Sequence, residues 1–180
     1  MERIKEKNIN TPEYWKDYWS SDFRRKENYF NDSHELKNLG DLTIGTILDI
    51  GCGSGHHTKY LKGDVTVCDI SQDAVDFVKE TLGFNGFQCD ITKQTPEGKY
   101  DTVICTEVLE HLDEPLRVLR KLKKLANKRV IISLPKGEEA KRFEDHVWSF
   151  ELEDMEEIFG GKVNAYSPDG LHLIAIYDKA

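Results

Sequence analysis

The sequence predicts an α/β domain: a seven-stranded, mostly parallel sheet with helices on both faces and an antiparallel hairpin at its C-terminal end. Three observations predict it. Short apolar runs alternate with helical patterns from residue 43 to 135, as strands joined by crossover helices do. The run Ile47-Leu48-Asp49-Ile50 breaks into Gly51, Gly53 and Gly55, the pattern of a buried strand feeding a tight turn. Near the end, Ser167-Pro168-Asp169-Gly170 carries the preferred residues of a type I turn and separates two further apolar stretches.

Taken in order, residues 1–10 are polar and are expected to fray. Thr11-Pro12 opens a helix, with threonine as N-cap and proline where its missing N–H costs nothing. Tyr14, Trp15, Tyr18 and Trp19, followed by Phe23, form an aromatic stripe that either packs this segment onto the core or, with Arg24 and Arg25, roofs a ligand cleft. A short helix is expected over 31–38, ended by Gly40. Residues 1–40 therefore read as a helical extension or lid, and 41–180 as the main domain.

The first strand is expected over Thr43–Ile50, with a helix from His56 to Leu61 after the glycine turn. Val65–Asp69 is the second strand. Ser71 caps a helix to Leu82 that buries Ala74, Val75, Phe77 and Val78, and Gly83 closes it. Gly86–Asp90, Tyr100–Cys105 and Arg129–Leu134 supply the next three strands; Pro115 begins the helix between the last two, and Pro135 stops the fifth. A helix over Ser149–Phe159 then precedes the hairpin of Lys162–Tyr166 and Leu171–Tyr177.

Composition bounds the class. A chain of 180 residues suits one domain with a short extension, and 38% hydrophobic with 32% charged residues describes a water-soluble globular protein. No apolar run approaches the roughly 20 residues of a membrane helix, and the mixed-charge opening lacks the apolar stretch of a signal peptide, so the expectation is a cytoplasmic protein. Cys52, Cys68, Cys89 and Cys105 form no close pair and read as buried free thiols of a reducing compartment. A net charge of −8 opposes nucleic-acid binding, although Arg117, Arg120, Lys121, Lys123, Lys124, Lys128 and Arg129 crowd one segment without an acid. Such a run is ordinarily a solvated face near a helix C-terminus.

The residues that carry chemistry lie at strand ends. Glycines let a ligand approach the backbone of the turn after Ile50, which suits a small, partly anionic molecule. Asp69 stands 20 residues after Asp49, at the end of the second strand, where a carboxylate reaches ribose hydroxyls. Asp90 ends the third strand, and Glu107, Glu110 and His111 follow the fourth. The dinucleotide fingerprint wants glycine or alanine where this chain has His56, so the spacing here is G-x-G-x-G.

From Thr46 onward the chain resembles the class I S-adenosylmethionine-dependent methyltransferases, whose first motif, D-x-G-x-G-x-G, stands here as Asp49 to Gly55. The Glu107-Val108-Leu109-Glu110-His111-Leu112 segment resembles the subgroup that includes the ubiquinone-pathway O-methyltransferases, and Asp- or Asn-Pro-Pro-Tyr, the signature of nucleobase amino methylases, is absent there. The resemblance implies a Rossmann-like fold whose last strand inserts antiparallel. It implies S-adenosylmethionine as cofactor, with S-adenosylhomocysteine as product. It assigns Asp49, Gly51, Cys52, Gly53 and Gly55 to the cofactor loop and Asp69 to the ribose. Asp90 then meets the adenine amino group, Ile70 and Ile91 the adenine faces, and the backbone from Cys105 to Glu107 the methionine part.

His111 is a candidate for proton work or a core histidine at a helix start, and His146, in a His-x-x-x-Phe pattern that relatives also show, is expected across the cleft from it. The expected mechanism needs no metal. The alternative ligand set is Glu107, Glu110, His111 and His146, which resembles the set used by some ubiquinone-pathway and small-RNA terminal 2′-O-methyltransferases. The function expected is methyl transfer to a small-molecule acceptor, by a monomer or dimer. Rival readings are a cofactor-binding module without catalysis and a nicotinamide-dependent oxidoreductase, against which the missing third glycine and the terminal hairpin both speak.

Overall fold

The computed structural model describes residues 1–30 and 36–179. Its strands are β1 (Glu2–Arg3), β2 (Ile47–Ile50), β3 (Val65–Asp69), β4 (Asn85–Gln88), β5 (Tyr100–Thr106), β6 (Ala126–Pro135), β7 (Trp148–Ser149), β8 (Asn164–Tyr166) and β9 (His172–Asp178). Its helices are α1 (Pro12–Ser20), α2 (Asp22–Phe30), α3 (Leu39–Leu42), α4 (Gln72–Leu82), α5 (Pro115–Leu125) and α6 (Met155–Phe159). Seven strands form one sheet in the order β4-β3-β2-β5-β6-β9-β8. The first five run parallel, and β9 enters antiparallel to both β6 and β8. The expected fold class and hairpin are both present.

The sheet is buried on both faces because its strands alternate apolar side chains between two cores. Leu48 and Ile50 of β2 face one, with Val118, Leu119, Leu122 and Leu125 of α5, and Ile47 faces the other, with Val75 and Val78 of α4. The α5 residues recur at helical spacing, and each fully buried side chain of this kind stabilises by roughly 1.5–3 kcal/mol. Gly83 closes α4 in the left-handed conformation, and Thr11 caps α1 by accepting from the Tyr14 N–H at 3.1 Å. No described helix is long and apolar enough to cross a membrane. All four cysteines are free and buried.

Several expectations are corrected. Residues 1–10 are docked: β1 pairs with β7, Ile4 N–H donates to the Val147 carbonyl at 2.8 Å, and Asn8 and Asn10 bond to residues beyond 110. The first strand begins at Ile47, four residues late. Before it, Gly45 turns with φ +63°, and Ile44 and Thr46 donate to the Thr102 and Asp101 side chains instead of to a ladder. The helix expected at His56 to Leu61 is a three-residue 3₁₀ turn, Thr58–Tyr60, since β3 follows too soon for a full helix to form and return. Gly40 lies inside α3, where a Cβ would come 2.5 Å from the Tyr60 carbonyl oxygen, so close approach and not capping explains it. The rest of the helix expected over 31–38 lies outside the described residues save for a turn at 36–38.

Ser71 occupies the N-cap of α4 without a side-chain bond; its backbone N–H is instead taken by Asp69. The helix expected over Ser149–Phe159 is shorter. Ser149 is held in β7, Glu151 and Asp154 form a capping box around a 3₁₀ turn, and α6 starts only at Met155. The basic run is largely occupied. Lys121 donates to the carbonyls of Ile91, Thr92 and Gln94, Lys123 to that of Phe159, and Arg129 pairs with Asp178 at 2.6 Å.

Candidate active site

In the sheet order, β3 and β4 lie on one side of β2 and β5 on the other, so the direction of strand addition switches between the neighbours β2 and β5. Open α/β sheets bind ligands at such a point. The turn that follows β2 is held by Gly51 and Cys52 N–H groups donating to the Cys68 carbonyl at 2.8 and 3.2 Å. Gly51 has φ +79°, and a Cβ on it would lie 2.4 Å from Val108 Cγ2, so glycine is required for both reasons.

Asp69 is the anchor of this turn. Its Oδ2 accepts from Gly53 N–H and its Oδ1 from Ser71 N–H, both at 2.9 Å, and burial raises its pKa against those bonds. Each oxygen keeps a second lone-pair direction. Asp49 lies beneath the turn, accepting from the Thr58 hydroxyl at 2.7 Å, and burial pushes its carboxyl up to about 6.

One cavity runs along these strand ends. Gly51, Gly53, Asp69, Ile70, Asp90, Ile91, Glu107 and His111 line it, as do Trp15 and Trp19 of α1. Burial opposes ionisation of Asp90, but bonds from Thr92 and Lys93 keep its carboxyl below the usual range. A second cavity of about 490 Å³ adjoins it, and Cys52, Phe143, Asp145, His146 and His172 lie in its wall. The two share six residues: Trp15, Trp19, Gly51, Gly53, Glu107 and His111. Asp49, Gly55 and Cys105 line neither. Gly55 packs toward Val78, and Cys105 is fully buried within the sheet.

Glu107 is the one described non-glycine residue with positive φ, at 53°. A residue held there is strained, and such strain gathers at functional sites. Its Oε1 accepts from the Ser133 hydroxyl at 2.6 Å, so it turns away from the cluster that Glu110, His111 and His146 form. Those three each offer one ligand atom within 4.8 Å of the others. His111 Nδ1 lies 3.0 Å from the Asp145 carbonyl and His146 Nδ1 3.1 Å from that of Ala140. A carbonyl only accepts, so both Nδ1 atoms carry the proton and both Nε2 atoms present lone pairs. The two rings meet edge to face at 4.8 Å, and Trp15 packs on His111 at 5.0 Å. Burial lowers His111 to about 4.

Glu110 is wholly buried with neither oxygen hydrogen-bonded among the described residues, His111 Nε2 lying 3.7 Å from Oε1, and burial raises its carboxyl far above the usual range. A buried carboxyl without partners is costly, and a proton or a cation would relieve it. Sequence reasoning missed Asn10, whose bond to the Asp145 carbonyl reaches far along the chain, and His57, which meets Thr106 at 3.0 Å. It also missed Lys121, whose three bonds hold the loop after Asp90.

Residues 48–133 match the methyltransferase domain family. Among curated proteins, the chain is 33% identical over 86 residues to nodulation protein S of Azorhizobium caulinodans, covering 44% of this chain and 42% of that protein. It is 33% identical over 97 residues to a ubiquinone biosynthesis O-methyltransferase of Nitrosomonas europaea, covering 48% and 41%. The match thus spans less than half the length of these relatives. Among solved structures, the fold is similar to magnesium protoporphyrin IX methyltransferase of Synechocystis PCC 6803 with bound S-adenosylhomocysteine, at TM-score 0.67 and 20% identity over 94% of this chain and all of that one. It is also similar to an N-methyltransferase of Bradyrhizobium japonicum WM9 in complex with the same molecule, at TM-score 0.71 and 17% identity over 94% and 98%. Residues 48–133 are thus similar to the methyltransferase domain family, and the sheet around them has the fold of the solved S-adenosylmethionine-dependent methyltransferases named above.

Proposed function

We propose that this chain binds S-adenosylmethionine in the cavity beside Asp69 and transfers its methyl group to a small-molecule acceptor in the adjoining cavity. The observation that carries the reading is the shared wall: Gly51, Gly53, Glu107 and His111 border both spaces, so a donor and an acceptor would meet there. The cofactor supplies an electrophilic methyl on a sulfonium, which leaves the protein to hold the two reactants in line.

The chain's residues fit those tasks. Asp69 keeps an acceptor direction on each oxygen for a ribose hydroxyl. Ile70 and Ile91 flank the space for a flat base, Asp90 accepts from its amino group, and Glu107, the last residue of the expected 105–107 stretch and its one member in this cavity's wall, borders the methionine part. Trp15 and Trp19 of the extension, residues 1–40, cover the shared wall and act as a lid that excludes water. His111 and His146 face the junction with bare Nε2 atoms, the form that takes a proton from an acceptor.

A small acceptor accords with the second cavity's size and with the chain's charge of −8, which disfavours a polyanion. Free buried thiols fit a cytoplasmic setting. The test is formation of S-adenosylhomocysteine from S-adenosylmethionine across a panel of oxygen, nitrogen, carbon and sulfur nucleophiles. Cofactor binding without turnover on any of them favours a non-catalytic module.

A second reading is favoured by one observation, the unpartnered Glu110 carboxyl beside two histidines. Glu110, His111 and His146 would hold a divalent cation such as magnesium, manganese or zinc, and the ion would lower the pKa of an acceptor oxygen. Glu107 is turned to Ser133 and is outside this set. Elemental analysis of protein purified without chelator should find metal in the parent and none in Glu110→Ala. No metal in the parent, with activity surviving EDTA, ends this reading.

A further inference from the structure

The N-terminal strap is tied into the site by two asparagines whose orientation the hydrogen bonds determine. Asn8 Oδ1 lies 2.8 Å from the backbone N–H of Asn10, which can only donate, so that atom of Asn8 is the carbonyl oxygen. Asn8 Nδ2 then donates to the His111 carbonyl at 3.1 Å. Asn10 meets Asn8 Oδ1 at 2.7 Å and the Asp145 carbonyl at 2.6 Å. Both partners are acceptors, so the atom between them is Nδ2 and both its hydrogens are used.

The Asn10 carbonyl oxygen is left over. It is buried, has no hydrogen-bond partner among the described residues, and belongs to a residue in the wall of the proposed cofactor cavity. The cavity has two sides about the glycine turn. Asp69 and Asp90 follow strands on one side, and Glu107 to Leu112 follow β5 on the other. Asn10 belongs to the β5 side, because Asn8 joins the strap to His111 there. With the nucleoside beside Asp69 and Asp90, the amino-acid portion of the cofactor falls on the β5 side. Its one hydrogen-bond donor is the ammonium group, and Glu107 adds a carboxylate to the same wall.

We infer that Asn10 is a cofactor-binding residue whose side-chain carbonyl accepts a hydrogen bond from the α-ammonium of S-adenosylmethionine or S-adenosylhomocysteine. The inference rests on the cofactor reading above. It also gives the strap a purpose: the same amide that receives the cofactor donates to Asp145, whose carbonyl accepts from His111. Cofactor and histidine loops are thereby joined through one side chain.

The test is calorimetry of the full chain with two ligands, S-adenosylhomocysteine and 5′-methylthioadenosine, which keeps the nucleoside and sulfur but lacks the amino-acid portion. Asn10→Ala should weaken the first by about 10-fold or more, the range for a bond to a charged group, and leave the second within about twofold. Equal weakening of both, or of neither, overturns the inference. Asn10→Asp keeps an acceptor oxygen and should retain the preference for S-adenosylhomocysteine; loss of that preference also overturns it. The second variant decides alone if the first does not fold. A parent protein that binds neither ligand removes the cofactor reading itself, a result distinct from a parent that binds both and an Asn10→Ala variant that binds them unchanged.

Discussion

Replacing Asp69 by asparagine separates its observed task, holding the glycine turn, from the proposed one, holding a ribose. In the parent, each carboxylate oxygen accepts one backbone N–H at 2.9 Å, from Gly53 on one side and Ser71 on the other. An amide can satisfy one of these and must set its NH₂ against the second, so one bond is lost. A bond to a charged group contributes roughly 1.5–3 kcal/mol. Against this, burial raises the pKa of Asp69, and a neutral amide is spared that desolvation. The net loss of stability should be about 1–2 kcal/mol, readable as a lower urea midpoint at unchanged m-value. Affinity for S-adenosylhomocysteine should fall further, by about 10-fold or more, because one ribose hydroxyl loses its acceptor as the loop shifts. A variant of parental stability would refute the anchoring argument. One with lowered stability and parental affinity would refute the ribose assignment and keep only the structural role.

Three other outcomes follow from the geometry. Gly51→Ala forces a side chain into φ +79° and against Val108, costing about 1–2 kcal/mol from the backbone alone, and equilibrium denaturation should show at least that loss. Burial lowers His57 to about 3, so the folded state keeps it neutral while the unfolded chain takes a proton below about pH 6.5. Its contribution is present above that pH and is lost as pH falls toward 3. His57→Gln should reduce the acid-side slope of stability against pH by about 1.4 kcal/mol per unit between pH 4 and 6, and an unchanged slope contradicts a neutral His57. Asp49, held near 6, works in the opposite sense over that window, so the comparison with the parent is what isolates His57. Finally, amides of residues 11–30 should exchange more slowly with S-adenosylhomocysteine bound; protection indifferent to ligand makes the aromatic stripe packing only.

What was legible in the chain was local. The glycine turn, the strand periods and the 20-residue step from Asp49 to Asp69 are read from neighbours in sequence, and they placed Gly51, Gly53, Asp69 and Asp90 in one cavity. The hairpin was legible for the same reason. What escaped depends on distant partners. Two-residue strands such as β1 and β7 carry no period, so nothing in residues 1–10 announces that they dock beside Val147. Ser149 joins β7 because Glu2 pairs with it, which overrides the helical pattern that follows. The grouping of Glu110 with His111 and His146 was foreseeable from residue types, but the turn of Glu107 toward Ser133 was not, since it follows from one strained backbone angle. Lys121 reads as a solvated cation, and only the fold brings it onto the loop after Asp90.

The central claim is that the cavity between Asp69 and His111 is built for an adenosyl amino acid. Its most direct test is titration calorimetry of the unmodified chain with S-adenosylhomocysteine, with NAD as the competing nucleotide. The account predicts a single saturable site for S-adenosylhomocysteine that an excess of NAD leaves unchanged. No heat from S-adenosylhomocysteine, or displacement of it by NAD, would contradict the account.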